Sequence, residues 1–273
     1  MRPVESGMPV TMNSASKTVG PVSLPLRLNG ADLVVDLSGV VWWPDQRTLI
    51  VADLHFEKGT SVALRSGQLL PPYDTAATLM RLAAACSRFQ PDRVIALGDS
   101  FHDPGAIARL SDRDRDALTA LVHTTDWVWV EGNHDPDPHG PWGGTVVPKI
   151  TLGPLTFRHQ ALAGAVGEVS GHYHPKTSIR VRDKRVGSRC FAHDGARLIL
   201  PAFGAYTGGL ELLAPDLVRL FGPDLQATLI GRQRLFRFPK SKLIRPRDMP
   251  EGLFAPRSLG QDRQARTRGR AAS

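Results

Sequence analysis

Within residues 24–54 short apolar runs are separated by polar turn residues: Leu26-Arg27-Leu28, then 31–37, 40–43 and 48–52. Short apolar runs bounded by turn signals read as strands. Asn29-Gly30 and Pro44-Asp45-Gln46 fall between the runs and supply the backbone angles a hairpin turn needs, so the chain is predicted to open with a meander. In 74–87, Leu79, Met80, Leu82, Ala83 and Cys86 recur at helical spacing after Pro71-Pro72, with Asp74 or Thr75 as N-cap. Two unbroken apolar runs, 93–97 and 127–130, read as buried strands, with a helix capped by Ser111 and reaching about Thr124 between them. Strand and helix in alternation predict an α/β sheet. Strand-like pieces then recur at 146–150, 155–158, 166–170, 178–182, 188–193 and 197–200. They predict a second sheet packed on the first, so the expected architecture is two mostly mixed sheets flanked by helices. No repeat or domain-length linker separates the halves, which places a shared site between them.

Composition narrows the class. A chain of 273 residues with 41% hydrophobic and 22% charged residues has a sizeable core, which excludes wholesale disorder, collagen-like repeats and disulfide-dense miniproteins. No apolar run is long enough to span a bilayer. Residues 1–22 lack a basic start followed by an apolar run, so they do not read as a secretory signal. The two cysteines, Cys86 and Cys190, have no zinc-knuckle neighbours and are read as reduced and incidental, which fits the cytoplasm. The formal charge of +8 is concentrated at one end: residues 231–273 hold 12 of the 34 Lys and Arg and three of the 26 acids. The expected organisation is a flexible segment 1–23, a folded domain 24–230 and a basic, disordered tail 231–273 that would attract a polyanion, nucleic acid first among them.

Five places put Asp, Asn or His directly after a predicted strand, where loops of α/β folds carry function. They are Asp53-Leu54-His55, Gly98-Asp99-Ser100-Phe101-His102-Asp103, Gly132-Asn133-His134-Asp135, His159 and Gly171-His172-Tyr173-His174, and they contain six of the chain's nine histidines. Singly, each has a bland explanation as a turn former, a cap or a core histidine. Together they do not. In an extended segment residues i and i+2 share a side, so Asp53 with His55, and His172 with His174, would each offer two donors to a common cation. A carboxylate such as Asp99 has two oxygens and can bridge two ions. Oxygen and imidazole donors without thiolate favour Mn, Fe or Zn in an open site over a structural zinc cage. A pair of such ions suits in-line phosphoester hydrolysis.

The ordered set Asp-x-His, Gly-Asp, Gly-Asn-His-Asp, His and Gly-His-x-His resembles the calcineurin-like metallophosphoesterase superfamily, whose fold is a two-sheet sandwich flanked by helices. The segments 51–55, 97–103, 171–175 and 200–209 also resemble a bacterial branch of it, the ligase-associated DNA damage response endonucleases, or PdeM branch. The resemblance implies one metal on Asp53, His55, Asp99 and His174, and a second on Asp99, Asn133, His159 and His172, with Mn2+ favoured. It implies that His134 acts beside the scissile phosphate with Asp135 holding its imidazole. It further implies a DNA-acting endonuclease or phosphodiesterase in DNA repair, in the company of a ligase or helicase. The superfamily places an acid three positions after the bridging Asp, where this chain has His102 with Asp103 one later, so neither is assigned as a ligand.

No nucleophile elbow, P-loop, dinucleotide fingerprint or His-Glu-x-x-His helix occurs. Two alternatives stay open: a hydrolase of a nucleotide or other small phosphate ester, and a non-catalytic module that docks on DNA or a partner. Arg180, Arg182, Lys184, Arg185 and Arg189 form a basic strand pair that reads either as a solvated hairpin or as a phosphate-facing one. The five tryptophans read as sheet packing rather than base-stacking platforms.

Overall fold

In a computed structural model of the chain, which describes residues 21–244 apart from Leu69 and Pro72, the Asn29-Gly30 step turns as its chemistry predicts. Both residues take positive φ, 45° and 88°, as a two-residue hairpin turn requires. The turn joins β1 (Ser23–Leu28) to β2 (Ala31–Asp36), and β3 (Val41–Trp43) and β4 (Thr48–Val51) complete the antiparallel meander. From β4 onward the sense changes: β5 (Arg93–Leu97), β6 (Asp126–Val130) and β7 (Thr145–Val147) add in parallel, so the sheet runs β1 to β7 in chain order. Parallel neighbours need crossovers. Two are helical, α1 (Lys58–Ser66) with α2 (Asp74–Phe89), and α3 (Ala106–Arg109) with α4 (Asp112–Val122), and the third, from β6 to β7, is the loop 131–144. Ser111 caps α4 as expected, its hydroxyl accepting from the Asp114 amide at 3.1 Å.

The second sheet comprises β8 (Ile150–Leu152), β9 (Leu155–Arg158), β10 (Glu168–Ser170), β11 (Lys176–Val181), β12 (Lys184–His193), β13 (Arg197–Ile199), β14 (Gln226–Ile230) and β15 (Leu235–Pro239). Its order is β15-β14-β12-β13-β10-β9-β8, and β11 pairs with the outer half of β12. Side-chain alternation assigns the layers. On β4 to β6, Leu49, Val51, Val94, Ala96, Trp127 and Trp129 face α2 and α4, while Ile50, Ile95, Leu97, Val128 and Val130 face Phe157, Val169, Phe191 and Leu198 of the second sheet. The outer face of the second sheet, with Cys190, Ala192 and Leu229, is covered by Leu212, Phe221 and Leu217 of α5 (Pro215–Val218). The fold is therefore the expected pair of mixed sheets flanked by helices. Both cysteines are buried and free, and among the described residues no helix is long and apolar enough to cross a membrane.

Four local expectations change. The piece expected as a single second-sheet strand at 146–150 is divided: β7 pairs with β6 in the first sheet and β8 with β9 in the second, the chain crossing between the sheets at Pro148-Lys149. α1 has no counterpart in the sequence reading, because its segment carries a glycine in the first turn and no side-chain cap. Tertiary bonds hold it instead. The Asp74 carboxylate accepts from the Gly59 amide at 2.9 Å, and Thr75 Oγ1 accepts from the Glu57 amide at 2.8 Å and donates to Glu57 Oε1 at 2.9 Å. The two residues expected to cap α2 are thus spent on α1, and Tyr73 occupies the N-cap without a side-chain bond. Lastly, the folded chain does not stop at residue 230. β15 pairs antiparallel with β14 along its whole length, and Leu235 and Leu243 are buried; apolar residues set among Arg and Lys had been hidden by the charge count. The segments 1–20 and 245–273, the bulk of the expected flexible N-terminus and basic tail, lie outside the described residues.

Candidate metal centre

β4, β5 and β6 run parallel, as do β9 and β10, so their C-terminal ends deliver side chains to one rim between the sheets. All seven residues expected as metal donors meet there. Asp53, His55 and His174 form one trio and Asp99, His159 and His172 another, the donor atoms of each lying within 4.8 Å of one another. Asn133 completes the second: its Oδ1 is 2.9 Å from His159 Nε2 and 2.8 Å from His172 Nδ1. Asp99 stands between the two groups, with Oδ1 3.3 Å from His159 Nε2 and Oδ2 3.9 Å from His55 Nε2.

The convergence does not arise from i, i+2 alternation along extended segments. Asp53, His55, Asp99, His172 and His174 all have left-handed backbones, with φ of 56°, 46°, 47°, 69° and 46°. These segments are coiled rather than extended, and alternation does not apply to them. Asp53 and His55 do share a trio. His172 and His174 do not: a left-handed residue at each position sends their rings to different trios. Non-glycine residues in that region cost about 1 kcal/mol each or more, so the surrounding structure has to impose it.

Part of that structure is the absence of side chains. A Cβ on Gly98 would stand 2.5 Å from His159 Nδ1, and one on Gly132 would collide with the Asp99 amide and carboxylate. The rest comes from the 200–209 segment. Phe203 N–H donates to Ala52 O at 2.9 Å and Gly204 N–H to Asp53 O at 3.0 Å, fixing the backbone that carries the first trio. Two arginines pin this segment from behind. Arg81 donates to Phe203 O at 2.8 Å and Arg189 to Ala202 O at 2.9 Å, and both reach Ser38 O. Arg189 is thus a brace and not a member of the exposed basic pair, and burial, with the Arg81 charge added, pushes its guanidinium down to about 10.

Around the trios the structure redistributes the expected roles. His134 Nδ1 lies 2.7 Å from His102 O, so the carbonyl of His102, and not Asp135, orients the His134 imidazole. The Asp135 carboxylate instead accepts from the Ser100 and Phe101 amides at 2.7 and 2.9 Å, tying the loop after β5 to the loop after β6. Burial, together with the Asp99 charge and against those two amide bonds, pushes Asp135 up to about 7. Asp103 is drawn away by Arg109, which donates to both its oxygens at 3.0 and 2.8 Å. His102 stays, with its Nδ1 3.2 Å from His55 Nδ1 and its ring stacked on that of His134. Lys58, at the start of α1, is another charge the sequence reading missed. Burial lowers its pKa against the pull of Asp53 and Asp99. Its only sequence signal is its place three residues after His55.

The donor chemistry fits a pair of cations. Bonds of about 2.1 Å place neighbouring donors about 3.0 Å apart in an octahedron and about 3.4 Å in a tetrahedron; the edges of the Asn133, His159 and His172 triangle are 2.8, 2.9 and 3.1 Å. In the first trio His174 Nε2 is 3.3 Å from both His55 Nε2 and Asp53 Oδ1. His159 Nδ1 is bonded to Leu97 O at 2.8 Å, which directs its Nε2 inward. Burial holds His55 well below the ordinary histidine value, with the His174 charge adding to it, and burial plus His159 pushes His172 down to about 4. His159 goes the other way. Burial lowers it, but the hydrogen bond and charge of Asp99, with the charge of Asp53, prevail and push it up to about 9. Burial would likewise raise Asp99, yet the bond to His159 and nearby imidazoles hold it well below the usual carboxylate range.

Comparison with known proteins bears on the same residues. The calcineurin-like phosphoesterase family pattern matches residues 46–224. Among solved structures, Pseudomonas putida nuclease MPE is 25% identical with a TM-score of 0.61, covering 79% of this chain and 100% of its own. Yfce, a phosphoesterase from E. coli, is 14% identical with a TM-score of 0.36, covering 70% of this chain and 98% of its own. No curated protein sequence matches the chain. The family match takes in every strand end that feeds the two trios, and on that ground the chain belongs to the calcineurin-like phosphoesterase family.

Proposed function

We propose that the chain hydrolyses phosphodiester bonds of nucleic acid with two divalent ions, Mn2+ favoured and Fe or Zn as the other candidates, held by Asp53, His55 and His174 on one side and Asn133, His159 and His172 on the other, with Asp99 shared. The observation that carries this reading is Asp99, whose two oxygens face different imidazole clusters. When bound, such ions withdraw charge from the phosphate and acidify the attacking water. The chain's own residues do the rest. Asn133 and the imidazoles orient the centre with neutral donors, so the carboxylates Asp53 and Asp99 leave net positive charge for an anionic substrate. His134, tied at Nδ1 to His102 O, presents Nε2 4.0 Å from Asp99 Oδ2 on the half-exposed side of the site. From there it protonates the leaving oxygen, a step worth about 10²–10⁴-fold in rate. Asp135 positions the loop on which Asp99 sits.

Nucleic acid is favoured over a small ester by the likeness to Pseudomonas putida nuclease MPE and by the basic C-terminal sequence. Work on DNA in the cytoplasm, as repair beside a ligase or helicase, extends the same reading from the resemblance of the 51–209 motifs. A panel with Mn2+-loaded protein tests it, using a phosphomonoester, a phosphodiester, a cyclic nucleotide and single-stranded DNA. Cleavage of the diester and of DNA is expected. Turnover of the monoester or cyclic nucleotide with DNA untouched would overturn the nuclease reading in favour of a small-ester hydrolase.

A further inference from the structure

We propose that the exposed outer end of the β11–β12 hairpin is the track along which a nucleic-acid strand runs into the metal centre, its phosphates held by Lys176, Arg180, Arg182, Lys184 and Arg185. This rests on the nuclease reading above. β11 begins two residues after His174, so the hairpin is rooted in the first trio. Its six residues extend over about 17 Å, long enough to meet successive phosphates of one strand.

The register sorts the hairpin's two faces. Thr177 opposes Ser188 and Ile179 opposes Val186 on one, and Ile179 there packs into the core beside Cys190 and Leu243. On the other, Lys176 opposes Arg189, Ser178 opposes Gly187 and Arg180 opposes Arg185, while Lys184, opposite Val181 beside the turn, lies on the Ile179 face where that face has left the core and is exposed. Like charges directly opposite one another destabilise a strand pair, and the Arg180–Arg185 pair has no acid set between its members. The turn adds Arg182 at φ 52°, where glycine or asparagine would be cheaper. Among the ion pairs of the described residues, Arg185 alone of these five bases reaches a carboxylate, Glu211 at 4.0 Å. The 3₁₀ turn of residues Lys240–Lys242 brings two further lysines alongside, because Leu243 bridges to Ile179 and the Ile244 amide donates to Ser178 O at 2.8 Å. Seven exposed bases accompany one exposed acid, Asp183. A polyanion with regularly spaced charges is the ligand that turns this repulsion into binding.

The test uses the full chain with Arg180, Arg182 and Lys184 changed to glutamine, all three being exposed and outside the trios. Binding of a short fluorescent single-stranded oligonucleotide is measured by anisotropy in EDTA across a salt series. Three lost phosphate contacts should reduce the slope of log K against log salt by about 2 and weaken binding about 100-fold at 0.1 M salt. Hydrolysis of bis(nitrophenyl) phosphate with Mn2+ should stay at the parent rate, which also shows that the variant is folded. A variant with Arg180→Lys, Arg182→Lys and Lys184→Arg should keep the parent slope. A glutamine variant with the parent slope, or a charge-conserving variant that loses as much as it does, would overturn the inference. If the parent cleaves the small diester yet neither binds nor cuts the oligonucleotide, the nuclease reading itself falls; if the parent cuts and the glutamine variant cuts equally well, only the hairpin's role falls.

Discussion

Loading the centre with Mn2+ at pH 8 should release at least one proton per protein, and His159 is one source, beside the metal-acidified water. Among the proposed ligands, His55 and His172 are pushed down by burial and Asp99 is held low by His159, so none of these three carries a proton to displace at that pH. His159 is raised to about 9, because the Asp99 and Asp53 carboxylates outweigh its burial. At pH 8 it is about 0.9 protonated, and an imidazole of ordinary pKa is neutral. A cation approaching Nε2 has to expel that proton. The competition lowers apparent affinity about tenfold for each pH unit below about 9, or about 1.4 kcal/mol per unit, and vanishes above it. Affinity therefore rises with pH from 7 to 9 and then levels. Calorimetric titration in two buffers of different ionisation enthalpy reads the proton directly as a difference in apparent heat. Equal heats at pH 8, or affinity that is flat between pH 7 and 9, would refute the claim that His159 is a charged group displaced by metal.

Other outcomes follow from the same geometry. Asp99→Ala should lose metal and activity together, whereas His134→Ala should keep metal and lose about 10²–10⁴-fold in turnover; equal Mn2+ binding by both, with parent rates, would move catalysis elsewhere. Arg189→Met leaves Ala202 O without its guanidinium donor, at a cost of about 1–3 kcal/mol. It should weaken Mn2+ binding through Asp53 while the circular dichroism spectrum stays unchanged, and parent-level metal affinity would exclude the brace. His193 is pushed down to about 4, by burial and then by Arg237. Between pH 4 and 6.5 the unfolded chain thus binds a proton that the folded one does not. The stability involved is complete above pH 6.5 and falls by about 3 kcal/mol as pH drops to about 4. Urea unfolding of metal-free His193→Gln should show a shallower decline over that window, and parallel curves would refute the assignment.

The strands β4, β5 and β6, which carry much of the site, were legible because each is a short apolar run followed within three residues by Gly, Asp or Asn and then by a helical or polar segment. The donor set was legible for a related reason: six histidines after strand ends are too many for caps and turns. α1 was not legible, since its stability comes from Asp74 and Thr75, residues that local rules assign to the next helix. The tail boundary was misplaced because β15 is a strand by virtue of its partner, and its own arginines argue against it.

By itself the sequence determined that the buried strands feeding the site exist and which chemistry their ends can perform, because periodicity and residue type are local properties. Only the tertiary structure decided which donor joins which cluster, that His102 rather than Asp135 orients His134, and that Arg189 braces the Asp53 backbone while Arg180 and Arg182 face solvent. Those outcomes depend on left-handed backbone turns and on contacts between residues more than a hundred positions apart, such as the Gly204 amide on Asp53 O, and no pattern along the chain records a distance in space.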